Sequence, residues 1–153
     1  MLYDKLLILA CNKQLEVYER DLKGELKGLY CGGIIWLSNS LETRKEKAAK
    51  LSEEIGHHET SAGDILDQTS IPNKKQEKRA RAWGYCYVIP LSKIVEVYNE
   101  GLTLRHEIAE YIGVTEDFLQ STIDYYRDKF GLYTDWNDYR IYFDPLNVTK
   151  HFR

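Results

Sequence analysis

Two glutamates and a histidine lie at a spacing that can bind a metal ion if this part of the chain is helical. Glu53 and His57 are four residues apart, and Glu54 follows Glu53 directly. In an α-helix, residues at this spacing share one face about 6 Å apart along the axis, so both side chains can reach the same ion while Glu54 faces the same cleft. This is the layout of the His-Glu-x-x-His zinc helix, with Glu53 in place of the first histidine.

A carboxylate at position 53 is chemically acceptable but changes the character of such a site. Carboxylate oxygen is an accepted zinc ligand, although its negative charge lowers the Lewis acidity of the ion. The same residues also fit a helix without metal, because glutamate is a good helix former and a histidine near a helix C-terminus interacts favourably with the dipole. Residues 53–57 alone leave both interpretations open.

A second motif follows on the next predicted helix, which begins near Asn73 and runs past Trp83. It places an acidic residue at Glu77, a small residue at Ala80, an aromatic residue at Trp83 and a proline at Pro90. Together the two motifs resemble those of the ImmA/IrrE metallopeptidases, in which His-Glu-x-x-His is followed by Glu-x-x-Ala-x-x-Phe-Ala and a nearby proline. The resemblance extends over most of the chain.

This resemblance implies a fold, a set of site residues and a cofactor. The implied fold is an α+β, mostly helical, zincin-like domain with a small antiparallel β-sheet. By residue, the resemblance makes Glu53, His57 and Glu77 the metal ligands and Glu54 the general base that accepts a proton from the attacking water. The implied cofactor is Zn²⁺, with Mn²⁺ or Fe²⁺ as alternatives.

Capping residues and hydrophobic patterns predict the elements that position this site. We expect a first helix at Tyr3–Lys13 and an antiparallel hairpin formed by strands within Gln14–Leu37. The metal helix is then capped by Asn39 or Ser40 and runs to about His57, and a loop spans Thr60–Asn73. Further helices are predicted at Leu91–Asn99, Leu104–Ile112 and Thr115–Phe130, followed by one short strand at Ile141–Phe143. The expected organisation is a peptidase-like core at residues 1–90 and a helical, partner-binding part of the same domain at residues 91–153.

Other polar residues near the motifs have alternative roles. His58 points about 100° away from the face of residues 53 and 57, so a supporting or surface role is favoured over metal binding. Asp64 is a candidate additional ligand, but its position after Gly63 also fits a turn. The basic residues Lys75, Lys78 and Arg79 either offset the clustered carboxylates or face water.

Composition limits the class of protein. The 153 residues carry a net charge of −3, which argues against a protein whose main task is to wrap nucleic acid. The apolar runs are far shorter than the roughly 20 residues of a membrane span, and the N-terminus lacks the features of a secretory signal, so we expect a cytoplasmic protein. Three widely spaced cysteines form neither a disulfide framework nor a Cys-x-x-Cys zinc site.

Residues 104–130 have the pattern of a helix-turn-helix with Gly113 in the turn. The second helix begins with Glu116 and Asp117 and has its first basic residue at Arg127. Because base-reading residues lie near the N-terminal end of such a helix, among phosphates, these acids disfavour DNA binding. We therefore interpret this region as a platform for a protein partner.

Two functions follow from these observations. In the first, the chain is a metal-dependent endopeptidase that cuts a partner protein, and the resemblance implies a phage or mobile-element repressor as that partner. In the second, which the Glu53 substitution favours, the same scaffold is a catalytically inactive anti-repressor that binds its partner without cutting it.

Overall fold

The computed structural model describes residues 1–61 and 73–151. In chain order its elements are α1 (Leu2–Asn12), β1 (Glu16–Arg20), β2 (Gly28–Cys31), β3 (Ile34–Ser38), α2 (Arg44–Thr60), α3 (Lys74–Val88), α4 (Leu91–Asn99), α5 (Arg105–Ile112), α6 (Glu116–Phe130), β4 (Tyr133–Trp136), β5 (Tyr139–Phe143) and β6 (Leu146–Lys150). This content confirms the predicted α+β, mostly helical fold.

The chain forms two compact units, Met1–Gly84 and Tyr85–Arg153. The functional boundary predicted after residue 90 stays a prediction. Within residues 1–61 and 73–151, every helix is too short or too polar to cross a bilayer.

The first unit contains a three-stranded sheet in the order β1-β3-β2. The prediction of a purely antiparallel arrangement here was wrong, because β1 runs parallel to β3 and only β2 is antiparallel to it. The hairpin lies between β2 and β3, where the two-residue turn Gly32-Gly33 has φ of 57° and 83°. Positive φ at both central residues suits the turn that joins two twisted strands, and glycine adopts it without steric cost.

Helix α2 begins later than predicted. Its N-cap is Thr43, whose side chain accepts a hydrogen bond from the backbone N–H of Glu46, while the Glu46 carboxylate accepts one from the N–H of Glu42. These bonds satisfy backbone donors that have no partner within the helix, so they fix its start. The predicted cap at Asn39 or Ser40 was therefore wrong.

Helix α3 begins where the sequence predicted. Asn73 and Gln76 each accept a hydrogen bond from the backbone N–H of the other, both at 2.9 Å. The loop predicted over Thr60–Asn73 lies largely outside the described residues, and Thr60 itself is the last residue of α2.

The core of the first unit fixes α2 against the sheet. Helices α1 and α2 pack on each other, and α2 also packs on β2 and β3. Trp83 of α3 packs against this core. The buried apolar side chains are Tyr3, Leu6, Ala10, Leu15, Ile35, Leu37, Leu41, Ala48, Leu51 and Ile55.

Helices α2 and α3 approach each other closely at two pairs of small residues. A Cβ added to Gly56 would lie 2.2 Å from the backbone oxygen of Ala80, and one added to Gly84 would lie 2.8 Å from the Ser52 hydroxyl oxygen. Both distances are shorter than van der Waals contact. The Glu-x-x-Ala-x-x-Trp-Gly motif therefore has a packing role, because Ala80 and Gly84 let α3 lie against α2.

The second unit contains the end of α3, helices α4–α6 and an antiparallel sheet in the order β4-β5-β6. The three helices after Pro90 match their predicted bounds within a residue. Among the three strands of this sheet, the sequence predicted only β5. The two-residue loop Asn137-Asp138 connects β4 and β5, and Asn137 has φ of 52°. Asparagine tolerates this left-handed conformation, so the Asn-Asp pair is a turn signal that sequence reasoning missed.

The contact between Gly56 and Ala80 predicts unequal effects of two matched substitutions. We expect Gly56→Ala to lower the free energy of unfolding by about 1–3 kcal/mol, because its methyl group meets rigid backbone. Gly84→Ala should cost less, because the Ser52 hydroxyl can rotate away and alanine favours the helix. Urea unfolding of both variants measures the difference, and equal stability of the two would contradict this packing.

Candidate active site

The structure brings the three predicted ligands together in the first unit. Glu53 and His57 lie on α2 and Glu77 lies on α3, and one ligand atom from each lies within 4.8 Å of the other two. His57 Nε2 and Glu77 Oε2 lie 3.3 Å apart. His57 is buried, and Glu53 and Glu77 are partly buried. The cluster therefore opens toward solvent on the side of the two carboxylates.

Two cations contact the carboxylates of the cluster. Lys50 Nζ lies 3.1 Å from Glu53 Oε2, and Arg81 Nε lies 3.5 Å from Glu53 Oε1. The Arg81 guanidinium also reaches Glu77 Oε2 at 4.0 Å. Lys75, Lys78 and Arg79 are exposed, which agrees with the second alternative given for them, that they face water.

Glu54 occupies a more enclosed position than the ligands. Its side chain is 4% exposed, and a Cβ added to Gly28 of β2 would lie 2.9 Å from Glu54 Oε1. The same added atom would lie 2.7 Å from side-chain carbons of Lys50. Gly28 therefore provides the space in which Glu54 and the Lys50 stem lie between α2 and the sheet.

The neighbouring histidine is turned toward the sheet. His58 Nδ1 forms a 2.7 Å hydrogen bond with the Tyr30 hydroxyl of β2. This agrees with the supporting role that the helical geometry favoured. Asp64, the other candidate ligand, lies outside the described residues.

The comparison with known families identifies the chain. The peptidase M78 model, described as the IrrE N-terminal-like domain, matches residues 9–124. The chain belongs to the peptidase M78 family. The match covers all three cluster residues and Glu54, and it indicates a metallopeptidase-like domain, a class of protein that acts on protein substrates. A search of curated proteins found no significant match.

The donor set of this M78 domain fits a divalent metal ion. One imidazole nitrogen and two carboxylates are the ligand types that zinc takes in catalytic sites. Without a cation, two carboxylates this close repel each other, which favours a proton between them and raises the pKa of Glu77. A cation that replaces this proton would be bound by side chains already in place.

The pKa values of Glu53 and Glu77 move in opposite directions. Burial, the hydrogen bond to Glu53 and repulsion from Glu53 raise the pKa of Glu77 to about 7. Burial also acts to raise the pKa of Glu53, but the hydrogen bond from Glu77 and the charges of Lys50 and Arg81 outweigh it and lower that pKa. Of the two carboxyl groups, Glu77 therefore keeps its proton to the higher pH, and Glu53 ionises first.

His57 is held in the form that binds metal. Burial lowers the pKa of His57. The negative charge of Glu53 acts to raise that pKa, and the positive charges of Lys50 and Arg81 lower it further. A lowered pKa keeps the imidazole neutral at physiological pH. Metal binding requires this neutral form, because a protonated ring nitrogen has no lone pair for the ion.

Glu54 has the largest pKa shift among the residues predicted for the site, which are Glu53, Glu54, His57 and Glu77. Burial, together with repulsion from Glu53, raises the pKa of Glu54 to about 8. A carboxylate whose pKa lies close to neutrality is suited to accept and return a proton. This is the property required of a general base.

Sequence reasoning missed the residues that support the cluster. Lys50 lies three residues before Glu53 and Arg81 four residues after Glu77, so ordinary helical spacing identifies both as neighbours. Gly28 and Gly56 carry no comparable signal, because their importance depends on which element packs against them.

The raised pKa of Glu54 predicts how pH affects stability in metal-free protein. Between pH 6.5 and 8 the folded state retains a proton on Glu54 that the unfolded chain has lost, so its stability falls as pH rises. Glu54→Gln imitates the protonated form and should become more stable relative to wild type across this range. Thermal unfolding in chelator at several pH values measures this trend.

The exposed Glu25→Gln substitution is the control, because it removes a carboxylate from water rather than from a buried site. Some pH dependence should remain in Glu54→Gln, since Glu77 also loses its proton in this range. Parallel stability profiles for Glu54→Gln and wild type would show that Glu54 is not held protonated.

Proposed function

We propose that this M78 domain is a metal-dependent endopeptidase that cuts a partner protein in the cytoplasm. Zinc is the favoured ion, with Mn²⁺ or Fe²⁺ as alternatives, and a phage or mobile-element repressor is the proposed substrate. The observation that carries the proposal is the convergence of Glu53, His57 and Glu77 within 4.8 Å in a member of a peptidase family. Nucleic acid is not expected to bind, because α6 begins with exposed Glu116 and Asp117.

The proposed chemistry divides between the ligands and the base. A divalent ion held by Glu53, His57 and Glu77 would polarise the scissile carbonyl and make a water molecule more acidic. Glu54 then accepts the proton of the attacking water and returns it to the leaving amine. Its burial beside Gly28 limits competing hydrogen bonds from solvent. Arg81, 53% exposed on its side chain, keeps Glu53 and Glu77 oriented from the solvent side.

Strand β2 provides a surface on which an extended substrate can bind. In the described part of the chain, β2 pairs with β3 along one edge and lies at the end of its sheet. A strand at the end of a sheet can accept an extended peptide through main-chain hydrogen bonds. A peptide at this edge would pass Gly28, next to Glu54. This placement supports cleavage within a chain rather than at its terminus.

One observation favours the alternative of a non-catalytic binder. Lys50 and Arg81 already neutralise part of the negative charge at Glu53. A site balanced in this way is less dependent on a metal ion for folding. In this alternative the domain is an inactive anti-repressor that sequesters its partner, and the cluster is retained as an internal ion-pair network.

Metal content and cleavage distinguish the two functions. The chain is to be co-expressed with the repressor proposed as its substrate, as wild type and as Glu54→Gln. The endopeptidase predicts stoichiometric zinc, manganese or iron in both proteins and cleavage by wild type alone. Chelation should lower its melting temperature, because the metal binds the folded site and its binding energy is lost on removal. His57→Ala should lose the metal. Absence of metal together with an uncut, co-purifying repressor would instead establish the binder.

Replacement of Glu53 tests whether the site is adapted to its carboxylate. Glu53→His removes one negative charge from the ligand set, so the ion becomes more Lewis acidic and water at the site more readily ionised. We expect tighter zinc binding by competition with a chelating dye, and cleavage equal to or faster than that of wild type. In a binder that has lost its metal, the variant would take up zinc without cleavage. If neither zinc binding nor cleavage changes, residue 53 does not face the site.

A further inference from the structure

The second unit contains an apolar cavity that the proposed chemistry does not use. Its volume is about 100 Å³, and it lies among α4, α5, α6 and β6. The fully buried part of its wall is formed by aliphatic side chains from all four elements and from Ile89. These side chains are Ile89, Ile94, Val97, Ile108, Leu119, Ile123 and Val148.

The buried threonine in the wall of this cavity has no free hydrogen-bonding group to offer an occupant. Thr122 lines the cavity and is fully buried, but its hydroxyl donates to the backbone oxygen of Phe118 at 2.8 Å. It therefore serves the occupant as an apolar surface. Only an apolar group gains by entering such a space, because a polar one would lose its hydrogen bonds with water.

The mouth of the cavity has the opposite character. Three lining residues are exposed, namely Tyr98, Thr103 and Asn147, and each carries a hydrogen-bonding side chain. An apolar pocket with a polar rim is the arrangement found at the centre of protein–protein interfaces. Tyrosine is also among the residues enriched there.

The size of the cavity selects one side chain rather than a whole small molecule. Pockets for drug-sized ligands measure about 300–1,000 Å³, whereas a cavity of about 150 Å³ holds a single benzene. A volume of about 100 Å³ fits an aliphatic side chain such as that of leucine. An unfilled apolar cavity lacks packing contacts on one side, so entry of such a side chain would add contacts that the isolated domain does not have.

The charge around the cavity indicates the chemistry of the partner. Helices α4 and α5 and their connection carry four glutamates, Glu96, Glu100, Glu107 and Glu110, against two fixed positive charges, at Lys93 and Arg105. Lys93 forms an ion pair with Glu96 at 3.0 Å, and the region keeps a net negative charge. An acidic surround attracts a basic segment and increases its rate of association.

We propose that this cavity is a docking pocket for a leucine side chain within a basic segment of the partner protein. This proposal rests on the proposed function, because it presumes a partner protein. It describes how that partner is held at a place other than the cluster of Glu53, His57 and Glu77. Docking in the second unit would hold the partner whether or not a peptide bond is cut.

Synthetic peptides test this pocket without cleavage. The full-length Glu54→Gln protein is to be titrated with Ac-Lys-Ala-Lys-Leu-Lys-Ala-Lys-NH₂, with the same peptide carrying alanine in place of leucine, and with the leucine peptide carrying glutamate in place of each lysine. NMR of isotope-labelled isoleucine, leucine and valine methyl groups gives both the affinity and the site. We expect the basic leucine peptide to bind at least tenfold more tightly than either of the others, and to shift methyl signals of Val97, Ile108 and Ile123.

Two variants and a control connect the binding with the cavity. Val97→Phe fills the cavity and should weaken binding of the leucine peptide at least tenfold, and Tyr98→Ala at the mouth should weaken it severalfold even if Val97→Phe folds poorly. Leu132→Ala, at a residue that is 74% exposed and outside the cavity lining, should leave binding unchanged.

Equal binding of the leucine and alanine peptides, failure of all three to bind, or undiminished binding by both cavity variants would overturn the pocket. Equal binding of the acidic peptide would overturn the basic character of the partner. Because these readouts are affinities and chemical shifts, they are independent of whether the domain cuts a repressor.

Discussion

The close approach of α2 and α3 is the constraint on which the candidate site depends. Gly56 lies so near the backbone oxygen of Ala80 that no side chain fits between them. This contact places Glu77 on α3 beside Glu53 and His57 on α2. The small residues of the motif on α3 therefore determine the geometry of the site. The chemistry of the site lies in the acidic and imidazole groups that this geometry brings together.

Charge is the second constraint, and it explains why the carboxylate at position 53 is tolerated. Two carboxylates and a buried Glu54 would repel one another strongly without compensation. The structure compensates with the positive charges of Lys50 and Arg81, and the raised pKa of Glu77 favours the neutral form of that carboxyl group. A divalent cation can take over part of this compensation, because it has access to the same oxygens. The negative charge of the site thus favours binding of a metal ion, and its partial neutralisation allows the domain to fold without one.

Much of the fold could be predicted from local signals in the sequence. A glycine follows each helix after Pro90 within two residues of its end, and the left-handed φ of 91° at Gly113 shows why that residue stops α5. The pairing of strands was harder to predict, because β1 joins β3 through contacts between residues distant in the chain. Within the predicted hairpin at Gln14–Leu37, the glycine pair Gly32-Gly33 is the local signal that marks the turn between β2 and β3.

The candidate site shows the same division between local and long-range information. Helical spacing placed Glu53 and His57 on one face, and the resemblance to a family brought Glu77 to them. Neither could reveal that Lys50 and Arg81, rather than the run of basic residues at the start of α3, contact the carboxylates. That distinction depends on how the two helices rotate against each other, which is determined by packing at Gly56 and Gly84.

The position of the ion itself tests most directly whether contact between α2 and α3 builds a metal centre. Crystals of the zinc-loaded chain should give one strong anomalous peak at the zinc absorption edge. The account predicts this peak at about 2.0–2.2 Å from a ring nitrogen of His57 and from carboxylate oxygens of Glu53 and Glu77. A peak at another set of side chains, or stoichiometric zinc with no peak between the two helices, would contradict it.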